Sequence, residues 1–412
     1  MGKVSRHALP LYIVLAASAI STTGNMVALL AVPWFVLETT GSAALTGVTA
    51  AVTVLPTIIS GALGGVLVDR IGHRRTSVLA DLASAVAVAA IPILHVTVGI
   101  AAWQLLLLVF VGALLDLPAG TARSSLIPEF AERAGVPLER ANSLMSTIQQ
   151  SGNLAGPLIA GTLIATVGTT AALWFDAATF VVAAGLVAAF VPRPERPAQI
   201  ERVSYVEQLR RGVHFVRDDR VVRLILLIIT VTNFLVSPVF TVGLAIYANQ
   251  VLGSAIALGV LSAALGAGAL AGAATYAAIG HRLPRRGTFV GALTASGAPI
   301  AVLAVTEELL VGAAALAFVG FAAAPLNPLI ITLIQERTPS HMRAQVIGAA
   351  IALAWVAMPL GMLVAGGVAQ AFGIRVLFAA VGVAFILVLA AILPMRVLHD
   401  LDRPRPASER FA

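Results

Sequence analysis

The sequence contains no cysteine and little charge. Without thiols the chain has no disulfide framework, no thiolate metal site and no cysteine nucleophile. Only 11% of the 412 residues are charged and 59% are hydrophobic, whereas soluble domains carry roughly a quarter charged residues. A water-soluble fold of this length would need more polar surface, so the composition excludes a soluble globular protein.

Signatures of catalysis and nucleotide binding are also missing from the sequence. There is no HExxH motif, no Walker A sequence, and no GxGxxG placed between a strand and a helix. The seven histidines all fall in or beside loops. We therefore expect no enzyme activity, no cofactor and no metal site.

Long apolar runs fill most of the chain. A helix needs about 20 apolar residues to cross a bilayer, and the alternating ten-residue pattern of a membrane barrel is absent. The first run is too long for a cleavable signal peptide. We predict an all-α membrane protein with twelve transmembrane helices, spans 1 to 12, near 10–37, 44–68, 77–98, 101–126, 140–167, 169–191, 222–249, 255–280, 287–305, 309–335, 344–371 and 373–396.

The net charge of +7 follows membrane topology. Basic residues cluster at both ends of the chain and in the connections that follow even-numbered spans, whereas Glu38, Glu307 and Glu308 lie in the opposite loops. Arg375 is the exception on that opposite side. Because basic loops stay inside, we expect both termini in the cytoplasm, a plasma (inner) membrane location with lipids as neighbours, and no nucleic-acid binding.

The two halves of the chain repeat each other. Gly24-Asn25 corresponds to Thr232-Asn233, and three further matches, in the loop after span 1, in the loop after span 2 and at the start of span 5, recur in the same order. Such a parallel repeat predicts two pseudo-symmetric six-helix bundles with a cavity between them, although a repeat can also be purely architectural. The predicted parts are a first bundle at 1–191, a linker at 192–222, a second bundle at 223–397 and a cytoplasmic tail at 398–412.

The linker has an apolar periodicity typical of a helix. Val206, Leu209, Val213 and Val216 recur at helical spacing among charged residues. Two interpretations are open: an amphipathic helix on the membrane surface, or a solvated connection.

The end of span 2 resembles the signature loop of the major facilitator superfamily, G-x-x-x-D-R/K-x-G-R-K/R-K/R. Only His73 departs from the pattern. The wider runs 45–81 and 128–144 are similar to the efflux branch that contains macrolide and siderophore exporters. The resemblance covers essentially the whole chain, implies the major facilitator fold, and rests on Gly65, Asp69, Arg70, Gly72, Arg74 and Arg75.

The resemblance implies that this loop is a gate. Asp69 stands at a helix end, where its carboxylate can pair with Arg70 or Arg123 or face the N-terminus of span 11, whose dipole favours an anion. In the family this contact closes the cytoplasmic side. The alternative interpretation is ordinary topogenic charge at a loop.

Span 5 carries a second signature. Gly152, Gly156, Pro157 and Gly161 resemble the family's antiporter motif, with one extra residue before the last glycine. Two glycines four residues apart allow close helix packing, and a proline inside a helix bends it. The motif favours an exporter over an importer, although helix packing alone would use the same residues.

Ionisable residues inside membrane spans are rare and by default functional. Asp116 and Arg123 lie seven residues apart on one face of span 4, as a buried pair or as a protonation switch. Exporters of the resembling branch carry an acidic residue in the middle of span 1, where this chain has Asn25, which cannot carry a proton. Asp116 is therefore the first candidate for proton coupling. Glu38, at the end of span 1, is the second, and two interpretations of it are open: an interfacial residue or a cavity-lining one.

Two further acidic residues have simpler expectations. Asp81 lies close to Arg74 and Arg75, and we expect a structural ion pair there rather than a role in substrate binding. We expect Asp176, near the outer start of span 6, to be a solvated cap.

Uncharged polar groups and tryptophans are the candidates for lining a substrate cavity. Each could instead be a helix–helix hydrogen bond or core packing. A cavity with few fixed hydrogen bonds favours a lipophilic substrate over a sugar. The candidates are Asn25, Trp34, Gln149, Gln150, Asn153, Asn233, Asn327 and Trp355.

Together these features predict a secondary transporter that exports a small lipophilic molecule by alternating access, with protons as the coupling ion. By resemblance it works as a monomer. Import of a metabolite and flipping of a lipid or lysolipid are alternatives on the same fold, and a non-transporting membrane sensor is a remote one.

Overall fold

The computed structural model describes residues 8–192, 205–339 and 342–402. Within these ranges the side chains of 57–70, 205–209, 298, 344, 396 and 400 lie outside the description. The gate residues Gly65, Asp69 and Arg70 are therefore placed on a helix by their backbone alone, and their side chains lie outside the described residues. Residues 193–204 of the predicted linker and 403–412 of the predicted tail lie entirely outside the described residues, as do 1–7 and 340–341.

Six long helices occupy the first half of the chain, one at each predicted span. The first helix has a proline in its opening turn, where the missing N–H costs nothing, and it ends at Gly41, whose φ of 64° suits glycine. The bounds are α1 Leu9–Thr40, α2 Ala43–Ile71, α3 His73–Thr97, α4 Ala102–Ala134, α5 Leu138–Val167 and α6 Thr169–Phe190.

The second half begins with a shorter helix in the linker. The helices that follow lie at the predicted spans 7 to 12, several of them interrupted. The bounds are α7 Tyr205–Asp218, α8 Arg220–Pro238, α9 Leu244–Gln250, α10 Ala255–Ile279, α11 Arg285–Gly297, α12 Leu309–Ala323, α13 Leu326–Arg337, α14 Arg343–Phe372 and α15 Ile374–Ile392.

Most of these helices can cross a bilayer. Among the residues that the structure describes, ten segments are long and apolar enough to span a membrane, and Ala43–Pro56 of α2 is a shorter apolar helix. With α5, which lies at the predicted fifth span, the helical segments match the twelve predicted positions. The predicted all-α, multi-pass membrane fold is confirmed.

The chain separates into two compact units. The first comprises Met1–Gly41 and Thr49–Ile200, and the second comprises Ser42–Val48 and Glu201–Ala412. The division near residue 200 falls inside the predicted linker. The opening turns of α2 cluster with the second unit, which the sequence did not indicate.

Helix α1 holds the first unit together. It packs against α4, α5 and α6, while α3 packs against α4 and α6. A core that includes Leu11, Phe130 and Val187 fills the space between these helices.

The glycines of α5 let that helix approach α1 closely. A β-carbon on Gly156 would lie 2.3 Å from the β-carbon of Met26, and one on Gly152 would lie 2.9 Å from Cγ2 of Thr22. Pro157 and Gly161 are also buried on this helix. The close-packing face proposed for span 5 is therefore present, and its partner is α1.

Three spans of the second unit are interrupted helices. Span 7 consists of α8, a π-helical turn Val239–Gly243 after Pro238, and α9. Span 9 ends as a 3₁₀ helix, Ala298–Ala304, and span 10 breaks at Pro325 between α12 and α13. Proline at these points removes a backbone donor and disturbs the helical ladder, a local detail that hydropathy did not predict.

The linker helix α7 packs against α14 within the second unit. A β-carbon on Gly212 would lie 2.3 Å from the carbonyl oxygen of Gln345, and Val216 is 6% exposed in the apolar core. The amphipathic helix was predicted, but neither interpretation of it included this helix–helix contact.

Candidate functional site

A buried ion pair joins three helices of the first unit. The Nη1 atom of Arg123 on α4 lies 2.5 Å from Oδ2 of Asp81 on α3, and the two side chains are 4% and 0% exposed. The Nη2 atom of Arg123 donates to Oγ of Ser21 on α1 at 2.9 Å. Charges in a membrane interior persist when they are paired in this way.

The expected partners of Asp81 were wrong. Asp81 binds Arg123, while Arg74 donates from Nη2 to the backbone carbonyl of Ala188 on α6. Arg123, included in the gate by resemblance, is engaged by Asp81 and Ser21 in the described part of the chain. Ser21 was not predicted as a site residue, and its only sequence signal is a small hydroxyl within an apolar helix.

Asp116 has a different partner from Arg123. Its Oδ2 atom accepts a hydrogen bond of 2.9 Å from Nδ2 of Asn25 on α1. The two residues that lie on one face of α4 therefore bind different neighbours: Arg123 binds Asp81 on α3, and Asp116 binds the amide of Asn25 on α1.

A polar cavity of about 510 Å³ opens beside this pair in the first unit. It is bounded by α1, α4 and α5 and includes Asn25, Asp116 and Arg123. Gln149, a predicted cavity residue, lies in the same wall. Hydroxyl groups make up much of the remaining lining, contributed by Ser18, Thr22, Thr121, Ser124 and Ser125.

Asp176 is not the solvated cap that the sequence suggested. It is 1% exposed, because α6 begins at Thr169 and carries Asp176 inward to its second turn. There it faces α1 at Gly24, where a β-carbon would lie 2.6 Å from Oδ1 of Asp176. The sequence signal for burial was the apolar run on both sides of the aspartate.

Glu38 lies at the opposite end of α1 from residue 9, and is exposed. Its carboxylate accepts a hydrogen bond from the hydroxyl of Thr169. It borders a cavity of about 370 Å³ together with Phe35 and His95. Glu38 thus lies both at a helix end and on a cavity wall, and its role stays a prediction.

The remaining candidates of the first unit have separate environments. Asn153 donates to Gln150 at 3.3 Å, and both side chains are exposed. Trp34 is 7% exposed and belongs to the buried interior. The structure brings together Asn25, Asp116 and Gln149 at one cavity. Gln150, Asn153 and Trp34 are not part of its lining.

In the second unit, Asn233 of α8 donates to the backbone carbonyl of Ala354 on α14 at 3.0 Å. Trp355 is 38% exposed and Asn327 is exposed at the start of α13. Asn233 thus forms a helix–helix hydrogen bond, one of the alternatives kept open for these residues.

Two units of long apolar helices, with buried ion pairs and a polar cavity, define a multi-pass membrane protein. A model of the Major Facilitator Superfamily matches residues 14–355 and 226–411. The chain belongs to the major facilitator superfamily, a family of transporters.

Several characterised proteins are similar over nearly the full length. The multidrug efflux pump Tap of Mycolicibacterium fortuitum is 34% identical over 403 residues, covering 95% of this chain and 97% of the relative. Tap of Mycobacterium tuberculosis is 33% identical over 398 residues, covering 95% of each. Macrolide efflux protein A of Streptococcus pyogenes is 20% identical, covering 96% of this chain and 98% of the relative.

Solved structures share the fold at low identity. The nucleoside transporter NupG aligns with a TM-score of 0.75 at 12% identity, covering 94% of this chain and 99% of that one. A bacterial homologue of the human lysosomal transporter Spinster, inward-facing and unoccupied, aligns with a TM-score of 0.73 at 14% identity and covers 100% of both chains. These likenesses concern the fold alone.

Proposed function

We propose that this protein is a multidrug exporter that exchanges its substrates for protons by alternating access. The observation that carries the proposal is the 34% identity, over 95% of the chain, to a multidrug efflux pump. The helix-5 glycines that resemble the antiporter motif support the same direction of transport. The protein acts as a monomer in the plasma membrane, with both termini in the cytoplasm.

The polar cavity of the first unit is the proposed site of proton coupling rather than of drug binding. Its walls present carboxylate, amide and hydroxyl groups, which hydrate and conduct protons but offer little to a lipophilic molecule. An ionisable group inside a membrane protein that faces a polar cavity is the usual element of a proton relay. Asp116 is the acid in that wall.

Asn25 orients the coupling acid. Its amide donates to Asp116, a bond that favours the ionised form and weakens when the carboxyl takes up a proton. Protonation of Asp116 would therefore loosen a contact between α4 and α1. In this proposal the change of contact links proton binding to movement of α1.

The loop after α2 is the proposed cytoplasmic gate. Support comes from family membership and from the six motif residues, which run from Gly65 near the end of α2 to Arg75 in the first turn of α3. Asp69→Asn keeps the shape of the side chain and removes its charge. We expect transport to fall while membrane insertion stays normal, and undiminished transport would remove the gate assignment.

Export is tested with a drug and dye susceptibility panel in an efflux-deficient host, with and without an uncoupler. We expect raised tolerance that disappears when the proton gradient is collapsed. Tolerance that survives uncoupling would contradict proton coupling, increased sensitivity would indicate import, and no change across the panel would favour the sensor interpretation. Lipid flipping is distinguished by transbilayer movement of labelled lysolipid in proteoliposomes.

The role of Asp116 is tested in proteoliposomes with Asp116→Asn. This variant should lose uptake driven by a pH gradient and retain exchange of substrate for substrate, because binding and helix movement remain. Glu38→Gln is the matched control, since Glu38 is exposed at the end of α1. The assignment moves to Glu38 if that control, rather than the Asp116 variant, loses gradient-driven uptake.

A further inference from the structure

Asp176 is a buried acid that the coupling site described above does not include. It lies on α6 with 1% exposure, pressed against α1 at Gly24. The next residue of α1, Asn25, donates a hydrogen bond to Asp116 of α4. One turn of α1 is thus flanked by two carboxyl groups, one on α4 and one on α6.

One oxygen of the Asp176 carboxyl group, Oδ1, is buried without a hydrogen-bond partner among the described residues. The nearby hydroxyl of Thr179 donates to the backbone carbonyl of Asp176 at 2.7 Å. The same hydroxyl lies beside the carboxyl group of Asp176 at Gly24, and a hydroxyl has acceptor lone pairs as well as one proton to give.

No cation faces Asp176 in the described part of the first unit. Arg123, the buried cation there, is bound to Asp81 and Ser21. Asp116 is the charged group whose field acts on Asp176, and it has the same sign. Apart from Asp81, which binds Arg123, the other ionisable side chains on the helices that pack against α6 lie in first or last turns: Tyr12, Glu38, His73, Arg74, Arg75, His95, Glu139 and Arg140.

An ionised carboxylate that is buried without a counter-ion, and with one oxygen unpartnered, is strongly disfavoured in a membrane interior. A carboxylic acid in the same place needs an acceptor for its proton, and a hydroxyl such as that of Thr179 has acceptor lone pairs. The neutral acid is therefore the form that fits this environment.

We propose that Asp176 is a second proton-binding residue, which carries its proton while α1 lies against α6 and releases it to water when movement of α1 opens that contact. In the release step the O–H bond of the carboxyl breaks, the proton passes to water and the carboxylate remains. The functional part of this inference rests on the proposed proton coupling.

Gly24 links the two acids mechanically. A β-carbon at this position would lie 2.0 Å from Oγ1 of Thr179 and 2.6 Å from Oδ1 of Asp176. The backbone of α1 is therefore in close contact with these two side chains. Any shift of α1 that follows a change at Asn25 and Asp116 must alter the packing around Asp176. The two protonation events are thereby joined through a single helical turn.

The direct test is infrared difference spectroscopy of the purified, detergent-solubilised protein at neutral pH, with exchange into deuterated water. The wild type should show the carbonyl stretching band of a protonated carboxylic acid. Asp176→Asn should remove that band, whereas Asp116→Asn should keep it. A wild type without the band, or an Asp176→Asn protein that retains it, overturns the proposal.

The substitution preserves shape, and a size-exclusion profile checks folding. If the Asn variant is not recovered folded, Asp176→Glu takes its place, because a glutamic acid moves the frequency of the band. An unmoved frequency would then contradict the assignment.

A transport measurement separates this inference from the coupling proposal. In proteoliposomes, Asp176→Asn should exchange one proton fewer per substrate than the wild type while substrate exchange persists. An unchanged proton-to-substrate ratio would contradict a role in coupling. If Asp116→Asn turns out fully coupled while the infrared band still belongs to Asp176, the assignment of Asp116 fails and the second proton site stands.

Discussion

Arg123 and Asp81 form an ion pair between α4 and α3, with Nη1 2.5 Å from Oδ2 and both side chains at most 4% exposed. The two residues are 42 positions apart in the chain. Since Arg123 also binds Ser21, one guanidinium connects three helices of the first unit. Because Arg123 is bound to Asp81, Asp116 pairs with Asn25 instead. The first unit therefore contains a structural ion pair and, separately, an acid that faces the cavity.

Removing one charge of this pair should be costly. Asp81→Asn leaves the guanidinium of Arg123 buried without a counter-ion, which typically destabilises a protein by about 3–5 kcal/mol. We expect a large drop in the thermal unfolding midpoint of the purified protein. The control is Glu129→Gln, whose pair with Arg133 has side chains 32% and 36% exposed and should contribute less than about 1 kcal/mol. Equal losses in the two variants would contradict a structural role for Asp81.

The sequence predicted that charges inside the spans matter, but not which of them pair. Asp116 and Arg123 share a face of α4, and Asp81 lies close in sequence to Arg74 and Arg75. Local spacing favoured those partners. Asp81 pairs with Arg123 because α3 and α4 pack side by side. The spacing of residues within one helix does not show which helices are neighbours.

The approach of α5 to α1 depends on glycine. Gly156→Ala would place a β-carbon 2.3 Å from the β-carbon of Met26, and overpacking of this kind costs about 1–3 kcal/mol. We expect a lower unfolding temperature and weaker transport. Gly185→Ala on α6 is the matched control, since nothing lies within 4 Å of its β-carbon position. A Gly156 variant as stable as the Gly185 variant would refute close packing at this crossing.

Coupling should depend on the amide of Asn25. Asn25→Ala removes the donor to Asp116, and a hydrogen bond to a charged group is worth about 1.5–3 kcal/mol. We expect uptake driven by a pH gradient to fall about tenfold or more, the rate equivalent of that energy, with a smaller effect on substrate exchange. Asn153→Ala, which loses only an exposed bond to Gln150, should behave like the wild type. Equal effects of the two substitutions would count against Asn25 as an orienting residue.

The docking of α7 on α14 can be followed with a thiol reporter, because the chain has no native cysteine. Val216→Cys places a thiol at a position that is 6% exposed, so labelling should be slow. Gly212→Val forces α7 away from the carbonyl of Gln345, and labelling of the same cysteine should become at least tenfold faster. Gly348→Val, where the β-carbon position is open, serves as the control. Slow labelling in the Gly212 background would show that the contact is not required.

The second unit illustrates another limit of sequence reasoning. Hydropathy placed spans 7 to 12 correctly, because the apolar runs are long and the polar breaks are clear. The π-helical turn after Pro238 and the break at Pro325 depend on how the freed backbone groups find partners. The contact of α7 with α14 likewise depends on Gly212 meeting a neighbour more than a hundred residues away, and periodicity revealed only that α7 has an apolar face.

The most direct test of the account is proton movement driven by substrate. Purified protein is reconstituted into proteoliposomes with a pH indicator inside, and a transported drug is added outside without any imposed gradient. We predict that drug entry raises the internal pH in the wild type, and that Asp116→Asn admits labelled drug in exchange for unlabelled drug with no pH change. A wild type that moves drug without moving protons, or an Asp116→Asn variant that still moves both, would contradict the account.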